Sequence, residues 1–508
     1  MKKNSLITNL AWKFGERISA QLISMIVSII LARLLSPEDY GVVSIVMIFI
    51  TLANVFVSDG FGSALIQKKD ATALDFFSVL YFNIGFSLLL YLIIYISAPY
   101  ISVFYGEGYE ILTPILRVLG LRIVFTAINS VQQAYISKKM MFQKFFFATL
   151  WGTISSAVIG IAMAYLGYGV WALVAQYLVS TTVSTFSLMV VIKKKPKICF
   201  SISSLRQLFP YGIRILGTGM LMTGYQELRA LIIGKVYSSS DLAYYDKGRQ
   251  FPNLIVTNIN TSISSVLFPK MADEQDDITK LKETTRNSIR FSSYIMCPVM
   301  LGLAAVAVPF VRLLLKDKWI DCVPLLQLFC VIYLFQPMHV ANIQAIKAMG
   351  RSDIYLKLEV FKKVIELIVL LIAMWISVEA IVFGMAICTT LFTFVNAYPN
   401  VKLLGYSLRE QMQDIIPNII ISCIMFCCVY MMNYIPVNDF IKLIVQVVSG
   451  GVIYILLSVV TRNSVFNKKY KSGKVFKYKH LFSTKRYMDE IDYISFLNSK
   501  SMIEGEIR

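Results

Sequence analysis

Residues 86–105 read FSLLLYLIIYISAPYISVFY, twenty positions without a charge. A helix of about 20 apolar residues crosses the roughly 30 Å hydrocarbon core of a bilayer. In lipid only helices and closed barrels satisfy their own backbone, and this run lacks the alternation of a barrel strand. The same pattern recurs along the chain. Hydrophobic residues make up 57% of its 508 positions and charged residues 16%, with a mean hydropathy of +0.65. A soluble domain carries about 25% charged residues, so this chain lacks the polar material to cover a globule of its size.

Fourteen such segments are expected, near 9–34, 40–66, 76–104, 110–137, 145–166, 169–192, 207–235, 241–269, 288–315, 320–347, 354–377, 379–399, 413–434 and 439–462. Several are broken by Gly or Pro, and many carry polar residues, as helices around an internal cavity do. The start, MKKNSLITNLAWKFGERISAQ, is too polar for a signal peptide, so the first span is expected to persist in the mature protein.

The net charge of +19 is placed in the gaps between apolar runs. One set of alternate loops holds Lys68 and Lys69, Lys138, Lys139 and Lys144, the run Lys193, Lys194, Lys195 and Lys197, then Lys280, Lys282 and Arg286, and Lys347 with Arg351. The other set (SPEDY, YGEGYE, LGYG, YIPVND) has Lys235, Lys316 and Lys318 as its main cations. Basic loops face the cytoplasm. Both termini are therefore expected there, with an even number of spans and a basic tail after Arg462. This distribution fits anionic lipid contact and argues against nucleic-acid binding. The eight cysteines show no CxxC pair, and the two histidines, His339 and His480, stand in no metal-ligand spacing, so buried reduced thiols and no cofactor are expected. No loop between spans could hold a folded domain and no GxxxxGK[ST] loop occurs, which excludes a fused ATPase or soluble glycosyltransferase domain.

The chain also resembles itself. At a shift of about 202, LARLLSPEDYGV near position 31 lies on IIGKVYSSSDLAYY near 232, pairing Arg33 with Lys235, Ser36 with Ser238 and Asp39 with Asp241; Leu65 then meets Leu267 and Lys68 meets Lys270. At about 210, APYISVFYGEGYEILTPILRVLG lies on VPFVRLLLKDKWIDCVPLLQLFC, with Pro99 on Pro309 and Pro114 on Pro324. A repeat of six helices leaves both copies facing the same way, around an axis along the membrane normal. Expected units are an N-lobe at 1–200, a C-lobe at 201–405, two further helices at 406–462 and a basic tail at 463–508.

LARLLSPEDYG (31–41), DGFGSALIQKKD (59–70), YFN (81–83), APYISVFY (98–105) and GYGVWALVAQ (167–176) together resemble the Wzx-like polysaccharide flippases. The likeness is to the colanic-acid and teichuronic-acid exporter type, within the multidrug/oligosaccharidyl-lipid/polysaccharide superfamily. It covers about residues 5–410 and is most specific in the first two hundred. It implies an all-α polytopic protein with two six-helix lobes in a V that opens alternately to either side. It further implies a cargo of undecaprenyl-diphosphate-linked oligosaccharide repeat units, an inner-membrane location, and work alongside a polysaccharide polymerase and a chain-length regulator.

Such a cargo calls for Arg or Lys facing its diphosphate and for amides and hydroxyls facing its sugars. Lys13, Arg17 and Gln21 recur at i, i+4 and i+8 on the first span with Glu16 adjoining, although a site near the span's start also permits snorkelling to headgroups. The seventh span carries Arg214, Gln226, Glu227 and Arg229. Arg122, Thr126, Asn129 and Gln133 follow helical spacing on the fourth, and Gln336 and His339 stand at the matching places of the tenth, with Asn342 and Gln344 beyond. Interhelical hydrogen bonding is the other account of such amides. Asn253, Thr257, Asn260 and Ser264 share a face of the eighth. Glu16, Asp59 and Glu227 are the carboxylates that could bind a coupling ion, with helix capping the alternative for Asp59. Two other functions compete: a cation-coupled drug antiporter, whose site would be richer in carboxylates, and a membrane-embedded polymerase, which would need longer outer loops.

Overall fold

A computed structural model describes residues 3–58, 60–192, 199–463 and 465–466, with residues 3–11, 13 and 14 described by their backbone alone. The described residues form helices and no strand. In chain order these are α1 (Lys3–Leu34), α2 (Pro37–Ser58), α3 (Gly60–Gln67), α4 (Ala73–Tyr105), α5 (Leu112–Lys139), α6 (Phe142–Tyr165), α7 (Val170–Ile192), α8 (Ile202–Val236) and α9 (Ser239–Asp273). There follow α10 (Ile278–Ala305), α11 (Ala307–Leu315), α12 (Cys322–Leu334), α13 (Gln336–Ala348), α14 (Ser352–Ala373), α15 (Val378–Leu404), α16 (Leu408–Met431) and α17 (Asp439–Val460).

Each expected segment corresponds to one helix or to two consecutive ones, the second to α2–α3, the ninth to α10–α11 and the tenth to α12–α13. Among the described residues eleven stretches are long and apolar enough to cross a membrane. The expected fourteen include α8, α9 and α14, which have 35, 35 and 22 residues but fall short of that apolarity. These three carry several charged side chains along their length. Examples are Glu227 and Arg229 on α8, Asp246, Lys247 and Arg249 on α9, and the ion pairs Lys362–Glu359 and Lys363–Glu366 on α14. Such groups persist at membrane depth only against other protein or a wet cavity.

The repeat is visible as local structure. Before α2, Ser36 Oγ donates to Asp39 Oδ2 at 2.8 Å and accepts from Asp39 N at 3.1 Å. Before α9, Ser238 Oγ donates to Asp241 Oδ2 at 2.6 Å and accepts from Asp241 N at 3.1 Å. Two equivalent reciprocal caps thus start the helices on which the halves meet, since α2 packs on both α8 and α9. Gly41 makes that approach possible, because a Cβ there would stand 1.8 Å from Ser239 O.

The symmetry extends across the interface. Arg33, at the end of α1, donates Nε to Leu314 O at 2.8 Å and Nη2 to Leu313 O, on the last turn of α11. Lys235, its repeat partner at the end of α8, donates to Phe104 O on the last turn of α4. In the register that pairs Pro99 with Pro309, Phe104 is the counterpart of Leu314. Each half therefore supplies a cation to the carbonyl end of the other's equivalent helix, where the helix dipole is negative. Lys318 Nζ to Arg33 O (3.0 Å) and Trp319 Nε1 to Ala32 O (2.8 Å) reinforce one side. Ser239 N to Tyr109 OH (3.1 Å) reinforces the other. Exposed contacts of this kind contribute about 1 kcal/mol each, so replacing both Arg33 and Lys235 by alanine is expected to shift the equilibrium roughly thirtyfold toward separation at this end. Spin labels at Val103 and Arg312 would report it as a longer distance.

Candidate functional site

A cavity of about 640 Å³ lies between α1, α2, α5, α6 and α7 on one side and α9 on the other. It is built on an antiparallel seam between α1 and α9. Arg17 Nη2 lies 3.4 Å from Thr261 Oγ1, Asn258 Nδ2 donates to Gln21 Oε1 at 3.2 Å, and Ser28 Oγ receives Lys247 Nζ at 2.8 Å and Gln250 Nε2 at 3.2 Å. The spacing on each helix follows the 3.6-residue period, so one polar stripe faces another.

Among the described residues three cations line the cavity. Lys247, 5% exposed, points its ammonium over the Tyr40 ring at 4.2 Å, in addition to its bonds to Ser28 and to Gln250 Oε1 at 3.2 Å. The guanidinium of Arg122 donates Nε to Thr181 Oγ1 at 2.9 Å and lies 5.4 Å above the Tyr177 ring. Arg249 has Asp246 at 3.8 Å, and Asp246 is the single carboxylate among the described lining residues. Fixed cations in a site of low dielectric bind an anion such as a diphosphate without reorganising.

Two smaller spaces adjoin. One of about 190 Å³ shares Tyr40, Ser44, Tyr177, Asp246 and Arg249 with the main cavity and adds Gln226 and Glu227 from α8. The other, about 250 Å³, shares Gln21 and Leu254 and is lined by Arg17, Asn258 and Thr261 together with apolar Ile18, Leu22 and Met25. Ile18, Leu22 and Ile26 are half exposed along α1, as lipid-facing residues are.

The structure sorts the expected residues. Arg17, Gln21 and Arg122 face the main or side cavity, and Gln226 and Glu227 the smaller chamber. Others hold helices together instead. Asn129 and Gln133 bond each other at 2.5 Å, and Asn129 bonds Thr185 of α7 at 3.3 Å. His339 sits between Thr393 (3.1 Å) and Asn396 (2.6 Å) of α15, away from the cavity. Arg229 is buried among Tyr245, at 3.3 Å, and Tyr225. Gln336 and Asn260 are half-buried and line neither of the first two cavities, and Arg214 is exposed. Asn129 and His339 share one physical reason: inside a membrane protein such groups are satisfied by the neighbouring helix, here α7 and α15, while Gln133 bonds within α5. Glu16 is partly buried on α1. Asp59 and the side chain of Lys13 lie outside the described residues.

Sequence reasoning missed Asp246, Lys247, Arg249 and Gln250. The signal was present in YYDKGRQ (244–250), three ionisable residues within four positions of a membrane-length helix. Their nearness to the start of the span conceals it, because charges there also suit a headgroup region. Gln176, Tyr177 and Ser180 carry no signal beyond ordinary polarity.

Comparison with known proteins adds to this geometry. The family described as polysaccharide biosynthesis protein matches residues 30–324, more than half of the chain. The succinoglycan biosynthesis transport protein ExoT of Rhizobium meliloti is 24% identical over 326 residues, 64% of this chain and 65% of that protein. The teichuronic acid biosynthesis protein TuaB of Bacillus subtilis is 23% identical over 59% of this chain and 62% of its own length, so the match spans just under two thirds of each of these two relatives. The lipopolysaccharide biosynthesis protein WzxC of Escherichia coli is 23% identical over 75% of this chain and 78% of its own length. Among solved structures, the lipid II flippase MurJ in an inward closed conformation superposes with a TM-score of 0.72 at 16% identity, covering 89% of this chain and 99% of that one. An inward-facing multidrug resistance transporter of the MATE family and MOP superfamily reaches 0.60 at 16% identity, over 76% and 96%. At such identity these two establish a shared fold.

Proposed function

The chain belongs to the polysaccharide biosynthesis protein family, and on that premise we propose that it is a flippase. It carries undecaprenyl-diphosphate-linked oligosaccharide repeat units across the bacterial inner membrane by alternating access, for assembly of a surface polysaccharide. Residues 1–200 and 201–405 act as two lobes that rock about the central cavity, with 406–462 as an appendage and both termini cytoplasmic. The observation that carries this reading is the cavity's charge: Arg122, Lys247 and Arg249 stand against one carboxylate, Asp246. That balance suits a diphosphate and repels a cationic drug, which speaks against the antiporter alternative. The apolar side pocket between α1 and α9, joined to the cavity through Gln21 and Leu254, is where the lipid tail remains in the bilayer. Glu227 and Asp246, across the smaller chamber, are the carboxylates placed to bind a coupling ion. The cargo leaves chemically unchanged, for a polymerase and its chain-length regulator to extend.

Deletion of the gene is expected to remove surface polymer and to leave lipid-linked repeat units on the cytoplasmic leaflet, measured by accessibility of the sugars in sealed vesicles of either orientation. Normal polymer together with raised drug sensitivity would sink the proposal.

A further inference from the structure

The cations of the central cavity are already engaged by protein partners, but part of its uncharged wall is not. Ser24 of α1, Ser44 of α2, and Gln176 and Ser180 of α7 line the cavity, and their side chains make no hydrogen bond among the described residues. Several amides elsewhere in the molecule bond across helices: Asn129 to Thr185, Asn342 to Gln411 at 2.9 Å, Asn418 to Ser293 at 2.7 Å, although the side-chain oxygens of Asn260, Asn396 and Asn400 are buried without a partner among the described residues. Open polar groups at membrane depth are tolerated where they face water or cargo.

The α7 part of this wall is held in place from behind. A Cβ on Gly160 of α6 would stand 3.1 Å from Gln176 Cβ, and one on Gly152 would stand 2.8 Å from Ser180 O and 2.0 Å from Ser184 Oγ. Glycine at both positions lets α6 press against α7, as small residues do in membrane helix pairs. Gln176 and Ser180 are thereby fixed at the cavity's edge. Gln176 is next in the chain to Tyr177 and Ser180 is next to Thr181, the two residues that seat Arg122.

We infer that Gln176 and Ser180, with Ser44 across the cavity, form a subsite for the sugar residue attached directly to the diphosphate, and that this residue is a neutral, hydroxyl-bearing pyranose. This rests on the flippase reading. A phosphate on Arg122 places its first sugar beside α7, where the Gln176 amide offers both a donor and an acceptor to adjacent hydroxyls and Ser180 can serve as either. Gln176, Ser180 and Ser44 are themselves uncharged, and with the cavity's cations taken up by the diphosphate no described residue beside α7 is left to favour an acidic sugar. Selectivity among cargoes is thus a property of the α6–α7 pair, and retention of the carrier a property of Arg122 and Lys247.

The test compares two lipids on the full-length protein: undecaprenyl diphosphate, and undecaprenyl diphosphate bearing one neutral hexose, with binding read by native mass spectrometry at graded lipid concentrations. Gln176→Ala and Ser180→Ala are each expected to leave undecaprenyl diphosphate binding unchanged and to weaken the hexose-bearing lipid by about three- to tenfold. Gln176→Leu keeps the side-chain volume and is expected to show the same difference, which separates lost hydrogen bonding from lost packing. Equal weakening of both lipids, or of neither, overturns the subsite while leaving the flippase reading intact. Wild-type protein that binds neither lipid overturns the flippase reading, and the subsite with it.

Discussion

Replacing Lys247 by glutamate is expected to abolish export while the protein still reaches the membrane in normal amount. The ammonium is buried at the cavity wall, 2.8 Å from Ser28 Oγ and 4.2 Å over the Tyr40 ring. It is therefore already fixed where a diphosphate would meet it. A hydrogen bond to a charged group contributes about 1.5–3 kcal/mol, so removing the charge alone, with Lys247→Met, should slow transport by about ten- to a hundredfold. Charge reversal adds repulsion of the diphosphate to that loss. Lys247→Arg keeps the charge and is expected to retain a large part of the activity. Translocation of a lipid-linked oligosaccharide in reconstituted vesicles, beside the amount of folded protein on size exclusion, checks all three. Wild-type export by both the glutamate and the methionine variants would remove Lys247 from the transport path.

Loss of the Asp414 carboxylate is expected to have the largest effect on stability. Asp414 lies on the buried face of α16, its side chain 1% exposed. It accepts from Arg286 Nε at 2.7 Å and Nη2 at 3.2 Å, from Arg290 Nε at 2.7 Å, and from Tyr406 OH at 2.7 Å. Lys282 and Glu410 extend the cluster at 3.1 Å. Here α10 is fastened to α16, the first helix beyond the internal repeat. Removing one member of a buried pair leaves its partners desolvated and uncompensated, at a cost of about 3–5 kcal/mol. Asp414→Ala is thus expected to lower the thermal midpoint in detergent by several degrees and to reduce the yield of monodisperse protein. Asp414→Asn, which keeps two acceptor sites on one oxygen, should lie between. A midpoint equal to wild type in the alanine variant would show that α16 is held by its apolar contacts alone.

Both residues show where reading the chain stops. The α1 stripe was legible because Arg17 and Gln21 repeat at helical spacing in an otherwise apolar segment, where a charge is too expensive to be incidental. Its partner stripe on α9 obeys the same periodicity: Lys247, Gln250, Asn258 and Thr261. Yet α9 presents polar residues on more than one face, and periodicity does not say which of them is opposite α1. Of the face expected from the sequence, Asn253, Thr257, Asn260 and Ser264, the first two line the cavity and the other two do not. His339 illustrates the converse. Its chemistry suits a site, but Thr393 and Asn396, more than fifty residues onward, engage both ring nitrogens.

What the sequence determined by itself was whatever depends on local rules. Span length, loop charge and helical period are properties of neighbouring residues, and together they made this chain an all-helical membrane protein. The repeat added a pairing of Arg33 with Lys235, because duplicated segments keep duplicated register. Only the tertiary structure decided that these two cations reach crosswise to Leu314 and Phe104, and that Arg122 of α5 shares one cavity with Lys247 and Arg249 of the distant α9. The reason is that a polar group in a membrane helix has several acceptable partners: another helix, a headgroup or a cargo. The local sequence makes a partner necessary, and the packing of distant helices selects it.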